Sequence, residues 1–115
     1  MPIPLLTQEL FEALWYGQSP HPNGPGPDRW LILFSSKRCE PCARLDKAVI
    51  EEAAFAAGAT FFICDATVNR YTPVYCDITR YPTFQLMEPG KVLASLTSSD
   101  TAAVVEWILT HKVSE

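Results

Sequence analysis

Trp30-Leu31-Ile32-Leu33-Phe34-Ser35-Ser36-Lys37-Arg38-Cys39-Glu40-Pro41-Cys42 joins an apolar run to two thiols separated by two residues. The run from Trp30 to Phe34 reads as a strand. Beyond the thiols, Leu45, Val49, Ala53 and Ala56 recur at helical spacing, which predicts a helix from Cys42 to Ala57 with Gly58 as its C-terminal stop. Strand, Cys-x-x-Cys, helix is the context of a redox dithiol rather than of a zinc knuckle. Cys39 then falls at the helix start, where unpaired N–H groups favour an anion, and the thiolate is the form of cysteine that attacks disulfides. Lys37 and Arg38 add positive charge before Cys39 and Glu40 opposes it. Pro41 suits a first helical turn because it has no N–H to lose. This assigns Cys39 as nucleophile and Cys42, deeper in the turn, as the resolving thiol.

A second feature lies downstream, at Arg80-Tyr81-Pro82-Thr83-Phe84, where a proline opens an expected strand from Thr83 to Met87. A proline there is either a strand boundary or a cis peptide that fixes a turn. Around these two features the pattern alternates. A short strand is expected near Ile3 to Leu5, a helix from Thr7 to Tyr16 and a strand from Thr60 to Cys64. An irregular or helical stretch from Thr67 to Asp77, a hairpin from Thr83 to Leu96 and a helix from Asp100 to Val113 complete it. Such alternation ending in a hairpin predicts a mixed sheet with helices on both faces.

The ordered set resembles the thioredoxin family, whose dithiol faces a cis-proline loop of the form x-Pro-Thr. Leu5 to Phe11, Ile63-Cys64-Asp65, Glu88-Pro89-Gly90-Lys91 and the closing helix extend the resemblance through nearly the full chain. It implies an α/β thioredoxin fold with a central mixed sheet of four to five strands, as one thioredoxin-like domain over residues 1–115. It also implies a cis Tyr81–Pro82 peptide against a Cys39–Cys42 disulfide, with Tyr81, Pro82 and Thr83 holding a substrate segment. Departures accompany the likeness. Ser35 and Arg38 stand where the family carries aromatic residues and Glu40 where it carries a glycine. Leu33 stands where a buried aspartate would assist the second cysteine, and Phe61 where its lysine partner would be. General-base assistance is worth about 10²–10⁴-fold in rate, so the resolving step is expected to be slow.

Composition sets the outer bounds. A chain of 115 residues with 48% apolar content supports one folded domain with a real core. A net charge of −4, with no basic run longer than Lys37-Arg38, predicts no nucleic-acid or membrane partner. Met1 to Leu6 has neither a basic segment nor a long apolar one, so a cytoplasmic location is expected; a monomer is expected as well. Gly17 to Arg29 holds four of the 10 prolines and three of the 5 glycines and reads as a surface loop. Cys64 and Cys76 do not continue a zinc-binding spacing; the sequence leaves a second disulfide between them open, and their ordinary reading is as small buried hydrophobes. His21 and His111 have no second ligand at metal spacing and read as solvated, and no metal is expected. Trp15, Trp30 and Trp107 read as packing residues, and Glu51 and Glu52 as an outer helix face.

The function expected is that of a thiol:disulfide oxidoreductase acting on disulfide-containing proteins. It needs no cofactor beyond the Cys39–Cys42 disulfide, and a thioredoxin reductase-type protein would supply its electrons. The alternative is a binding or accessory subunit that keeps the fold with little turnover. The missing base and the proline-rich loop motivate that alternative.

Overall fold

A computed structural model describes residues 3–17 and 28–111. Most of the Pro/Gly-rich stretch, including His21, and the last residues of the expected closing helix lie outside the described residues. The elements in order are α1 (Gln8–Trp15), β1 (Trp30–Ser35), α2 (Glu40–Ala43), α3 (Lys47–Ala56) and β2 (Thr60–Asp65). They continue with α4 (Tyr71–Tyr75), β3 (Thr83–Glu88), β4 (Lys91–Thr97) and α5 (Thr101–Thr110).

The four strands form one sheet in the order β2-β1-β3-β4. β1 runs parallel to β2 and antiparallel to β3, which pairs antiparallel with β4. β1 is therefore central and loses both faces to packing, which is why its sequence is an unbroken apolar run instead of an alternation. Its side chains still divide by parity. Leu31 and Leu33 join Phe61, Phe84 and Leu86 under α3 and α5. Trp30, Ile32 and Phe34 join Phe62, Cys64 and Met87 under α1. Each fully buried side chain of this size contributes about 1.5–3 kcal/mol, so the two layers supply most of the driving force.

Local chemistry sets the helix ends. Thr7 caps α1 by accepting from Leu10 N–H, and Asp100 caps α5 by accepting from Ala102 and Ala103 N–H. Gly58 ends α3 with φ +78°, a left-handed conformation that glycine adopts without a Cβ clash.

Two expectations are corrected. The helix predicted from Cys42 to Ala57 is two helices, because α2 closes at Arg44 and the chain turns before restarting at Lys47. Arg44 and Leu45 N–H donate to carbonyls three residues back, Pro41 and Cys42, instead of four. Asp46 N–H leaves the helical ladder for Thr101 Oγ1 at 3.0 Å, and the Asp46 carboxylate caps the new helix at Val49 N–H, 3.3 Å away. This break rotates the buried face to Ile50, Ala53, Ala54 and Ala57, leaving Val49 40% exposed and Ala56 outside the core. The strand expected near Ile3 to Leu5 is a single parallel bridge between Leu5 and Ile63. Two bonds make the bridge, Ile63 N–H to the Pro4 carbonyl at 3.1 Å and Leu6 N–H to the Ile63 carbonyl at 2.7 Å, and Pro4, with no N–H, cannot donate the next bond toward the N-terminus.

Candidate functional site

The C-terminal ends of β1 and β2 and the start of β3 lie at one edge of the sheet, as the pairs Ser35 with Asp65 and Phe34 with Thr83 require. Everything sequence reading assigned to the site leaves from this edge. Cys39 follows the β1 turn as N-cap of α2, and its Sγ accepts from Cys42 N–H at 3.2 Å. The two cysteines are joined as a disulfide with their Cα atoms 5.3 Å apart, within the usual range for such a bridge. Pro41 occupies the first turn, so its missing N–H costs nothing. The sulfurs differ in access: Cys39 is half-buried, whereas Cys42 is 4% exposed beneath the turn. Lys37, Arg38 and Glu40 are exposed around them.

Tyr81, Pro82 and Thr83 enter β3 at the same edge. The Tyr81–Pro82 peptide is cis, Pro82 is buried, and Tyr81 is half-buried in the α1-side core layer. Thr83 is held from both sides: its Oγ1 donates to the Arg80 carbonyl and pairs with Thr97 Oγ1, each at 2.8 Å. Burial pushes the Tyr81 phenol above its ordinary range, and Cys64 adds to the effect.

The positions of the family's buried acid and lysine hold no ionisable group. Leu33 is fully enclosed and Phe61 is 3% exposed. The Asp65 carboxylate is occupied by Thr67 N–H at 2.8 Å. Cys64 and Cys76 are free thiols, the first buried and the second half-buried. Burial pushes both to about 12; Cys76 and Asp65 add to the shift of Cys64, and Asp77 to that of Cys76. Protonated at neutral pH, they are packing groups, as expected. His111 differs from the solvated residue expected: it is half-buried, edge-on to Trp107 with ring centroids 5.5 Å apart.

Several supporting residues were missed by sequence reading. Thr67 Oγ1 accepts from Lys37 N–H at 3.3 Å and lies 3.5 Å from Ser36 Oγ, tying the loop before Cys39 to the end of β2. Lys47 Nζ donates to the Cys42 carbonyl at 3.5 Å. Asn69, 8% exposed, donates to the Leu6 carbonyl and Thr72 Oγ1, while Thr72 Oγ1 donates to Gln8 Oε1. Only the Asp65-x-Thr67 spacing, an Asx-turn pattern, hinted at any of these. The remainder are contacts between residues distant in sequence. Among the described residues, no group of three or more His, Cys, Asp or Glu is placed to hold a metal ion.

The family model Thioredoxin matches residues 26–110. No curated protein matches the chain. Among solved structures, thioredoxin from Malassezia sympodialis superposes with a TM-score of 0.77 at 18% identity, covering 97% of this chain and 92% of that one. Thioredoxin from Plasmodium falciparum gives 0.76 at 19% identity over 95% and 99%, and that from Fasciola hepatica 0.74 at 21% over 96% and 100%. At these identities the superpositions establish the fold: a four-stranded mixed sheet with helices, shared with thioredoxins. The family model spans well over half of the sequence, and the chain therefore belongs to the thioredoxin family of thiol–disulfide oxidoreductases.

Proposed function

We propose that the protein reduces disulfides of protein substrates through Cys39 and Cys42. One observation carries the reading: a bridged cysteine pair with one sulfur accessible at a helix start and its partner enclosed beneath the turn. In the reduced protein, the Cys39 thiolate attacks one sulfur of the substrate disulfide. A Cys39–substrate disulfide forms, the substrate S–S bond breaks, and the leaving thiolate takes up a proton. Cys42, as thiolate, then attacks Cys39 Sγ; the Cys39–Cys42 bond closes and the second substrate thiol leaves. Two electrons pass from the protein to the substrate, and a reductase-type donor returns them. The Cys42 N–H that donates to Cys39 Sγ, with Lys37 and Arg38 nearby, favours the attacking thiolate. Tyr81, Pro82 and Thr83 form the adjoining wall against which the substrate segment lies. Burial of Cys42 and the apolar Leu33 and Phe61 leave the resolving thiol without a neighbouring acid, which makes resolution the slow step. Free Cys64 and Cys76 fit a reducing compartment such as the cytoplasm.

Insulin reduction with dithiothreitol as electron source tests the reading, with Cys39→Ser as its control. Turnover abolished by that substitution is expected. Wild-type protein no faster than dithiothreitol alone would overturn the reading in favour of a binding or accessory subunit.

A further inference from the structure

Charge is unevenly placed about the dithiol. Lys37 and Arg38 stand on the loop before Cys39 and Arg80 on the turn before Pro82, all three exposed. Their backbones are held in place. Lys37 N–H donates to Thr67 Oγ1 and Arg38 N–H to Ser36 Oγ, each at 3.3 Å, and the Arg80 carbonyl accepts from Thr83 Oγ1 at 2.8 Å. The three cations thus stand on two loops at the end of the sheet from which the dithiol turn also leaves. Among the described residues none is in an ion pair; Arg29–Glu88, at the opposite end of the sheet, is one, at 3.3 Å.

Three carboxylates of this edge are engaged by backbone N–H groups, Asp65 by Thr67 and Asp46 and Asp100 as caps of α3 and α5, and Asp46 and Asp100 stay exposed. Glu40 lies beside the sulfurs, and Asp77 at the far end of the turn that carries Arg80. Elsewhere the balance is reversed. Among the described residues away from the three cations, exposed Glu9, Glu12, Asp28, Glu52 and Glu106 outnumber exposed Arg44, Arg70 and Lys91, in a chain of net charge −4. At ~0.1 M salt the Debye length is about 10 Å, so a docking segment responds to the nearby cations more than to the acidic remainder.

We propose that the preferred substrates are proteins whose reducible disulfide lies in an acidic segment, with carboxylates on either side of it meeting Lys37, Arg38 and Arg80. This rests on the oxidoreductase reading and adds the substrate class to it. Complementary charge raises the encounter rate and fixes the register of the segment over Cys39.

The test uses the whole protein, reduced and freed of reductant, with three oxidised probes. Two are peptides with one intramolecular disulfide flanked by glutamates or by lysines. The third is the neutral 2-hydroxyethyl disulfide. Rates are read after acid quenching. At about 0.01 M ionic strength the glutamate peptide should react roughly tenfold faster than the lysine peptide. The ratio should approach one at about 1 M, where the Debye length is ~3 Å. Replacing Lys37, Arg38 and Arg80 together by Glu should invert the preference, while Lys91→Glu, at the opposite end, should leave it in place. The ratio is taken within one protein, so a general loss of rate cancels, and the salt series on unmodified protein stands if the triple variant fails to fold. Equal rates for the two peptides, or a preference indifferent to salt, would overturn the proposal while reduction of 2-hydroxyethyl disulfide upheld the oxidoreductase reading. No reduction of any probe would overturn that reading and the substrate preference with it.

Discussion

Leu33→Asp puts a carboxyl where the family's buried acid would stand, and the structure gives its cost. Leu33 has no exposed surface; it sits mid-strand in the central β1, between Ile63 and Phe84, in the layer with Leu45 and Ile50. Removing a buried leucine side chain costs about 2–5 kcal/mol, and enclosing a neutral carboxyl without a partner adds about 1–3 kcal/mol. The surrounding cluster offers no polar partner, so a loss of roughly 5 kcal/mol is expected, against a total of ~5–15 kcal/mol for a domain. With a urea slope of ~1.5–2 kcal/mol/M, the unfolding midpoint should fall by about 3 M. Desolvation raises the carboxyl's folded-state pKa above its unfolded value of ~3.9, so the unfolded chain releases the proton first. The variant is therefore least destabilised below pH ~4 and loses further stability as pH rises, by up to about 1.4 kcal/mol per unit until the folded pKa is passed. Leu33→Asn should share the loss without the slope. Urea unfolding of both variants across pH measures each quantity. A loss under ~1 kcal/mol, or a flat pH profile for the Asp variant, would show that Leu33 is not enclosed and that the register of β1 is wrong.

Iodoacetamide added to the reduced native protein at neutral pH should label Cys39 first, then Cys42, with Cys64 and Cys76 last because both thiols are pushed to about 12; peptide mapping that finds Cys42 or Cys64 ahead would refute the assignment. Those raised values also set a pH limit. A thiol that ionises near ~8.5 when unfolded contributes its full stability below that pH and loses it as pH climbs toward the folded value of about 12, so chemical denaturation should show a decline over this window that Cys64→Ala reduces. Asp100→Ala should cost about 1 kcal/mol by removing the cap on Ala102 and Ala103 N–H, and Asp100→Asn should recover most of it; a null effect in denaturant unfolding would mean the cap contributes nothing. With Cys42→Ser, a mixed disulfide should accumulate on Cys39, read as a substrate adduct by mass spectrometry, since the group that would resolve it is gone.

Local rules made much of this molecule legible before its structure. The unbroken apolar run of β1, the threonine and aspartate that cap α1 and α5, Gly58 ending α3 and the Cys39-Glu40-Pro41-Cys42 turn each act through neighbours within a few residues. Periodicity and capping report on such neighbours directly. What tertiary structure decided involves partners far apart in the chain. The break between α2 and α3 depends on Thr101 capturing Asp46 N–H, and that capture moved the buried face off Val49. The loop before Cys39 depends on Thr67, and pairing of Leu5 stops at one bridge because Pro4 supplies no donor. Arg80 is more than forty positions from Lys37 and Arg38 in sequence and stands at the same end of the sheet only because β1 and β3 pair antiparallel, which brings the end of one strand to the start of the other. Hydrogen bonds and charges act through distance in space, and a linear sequence records only distance along the chain.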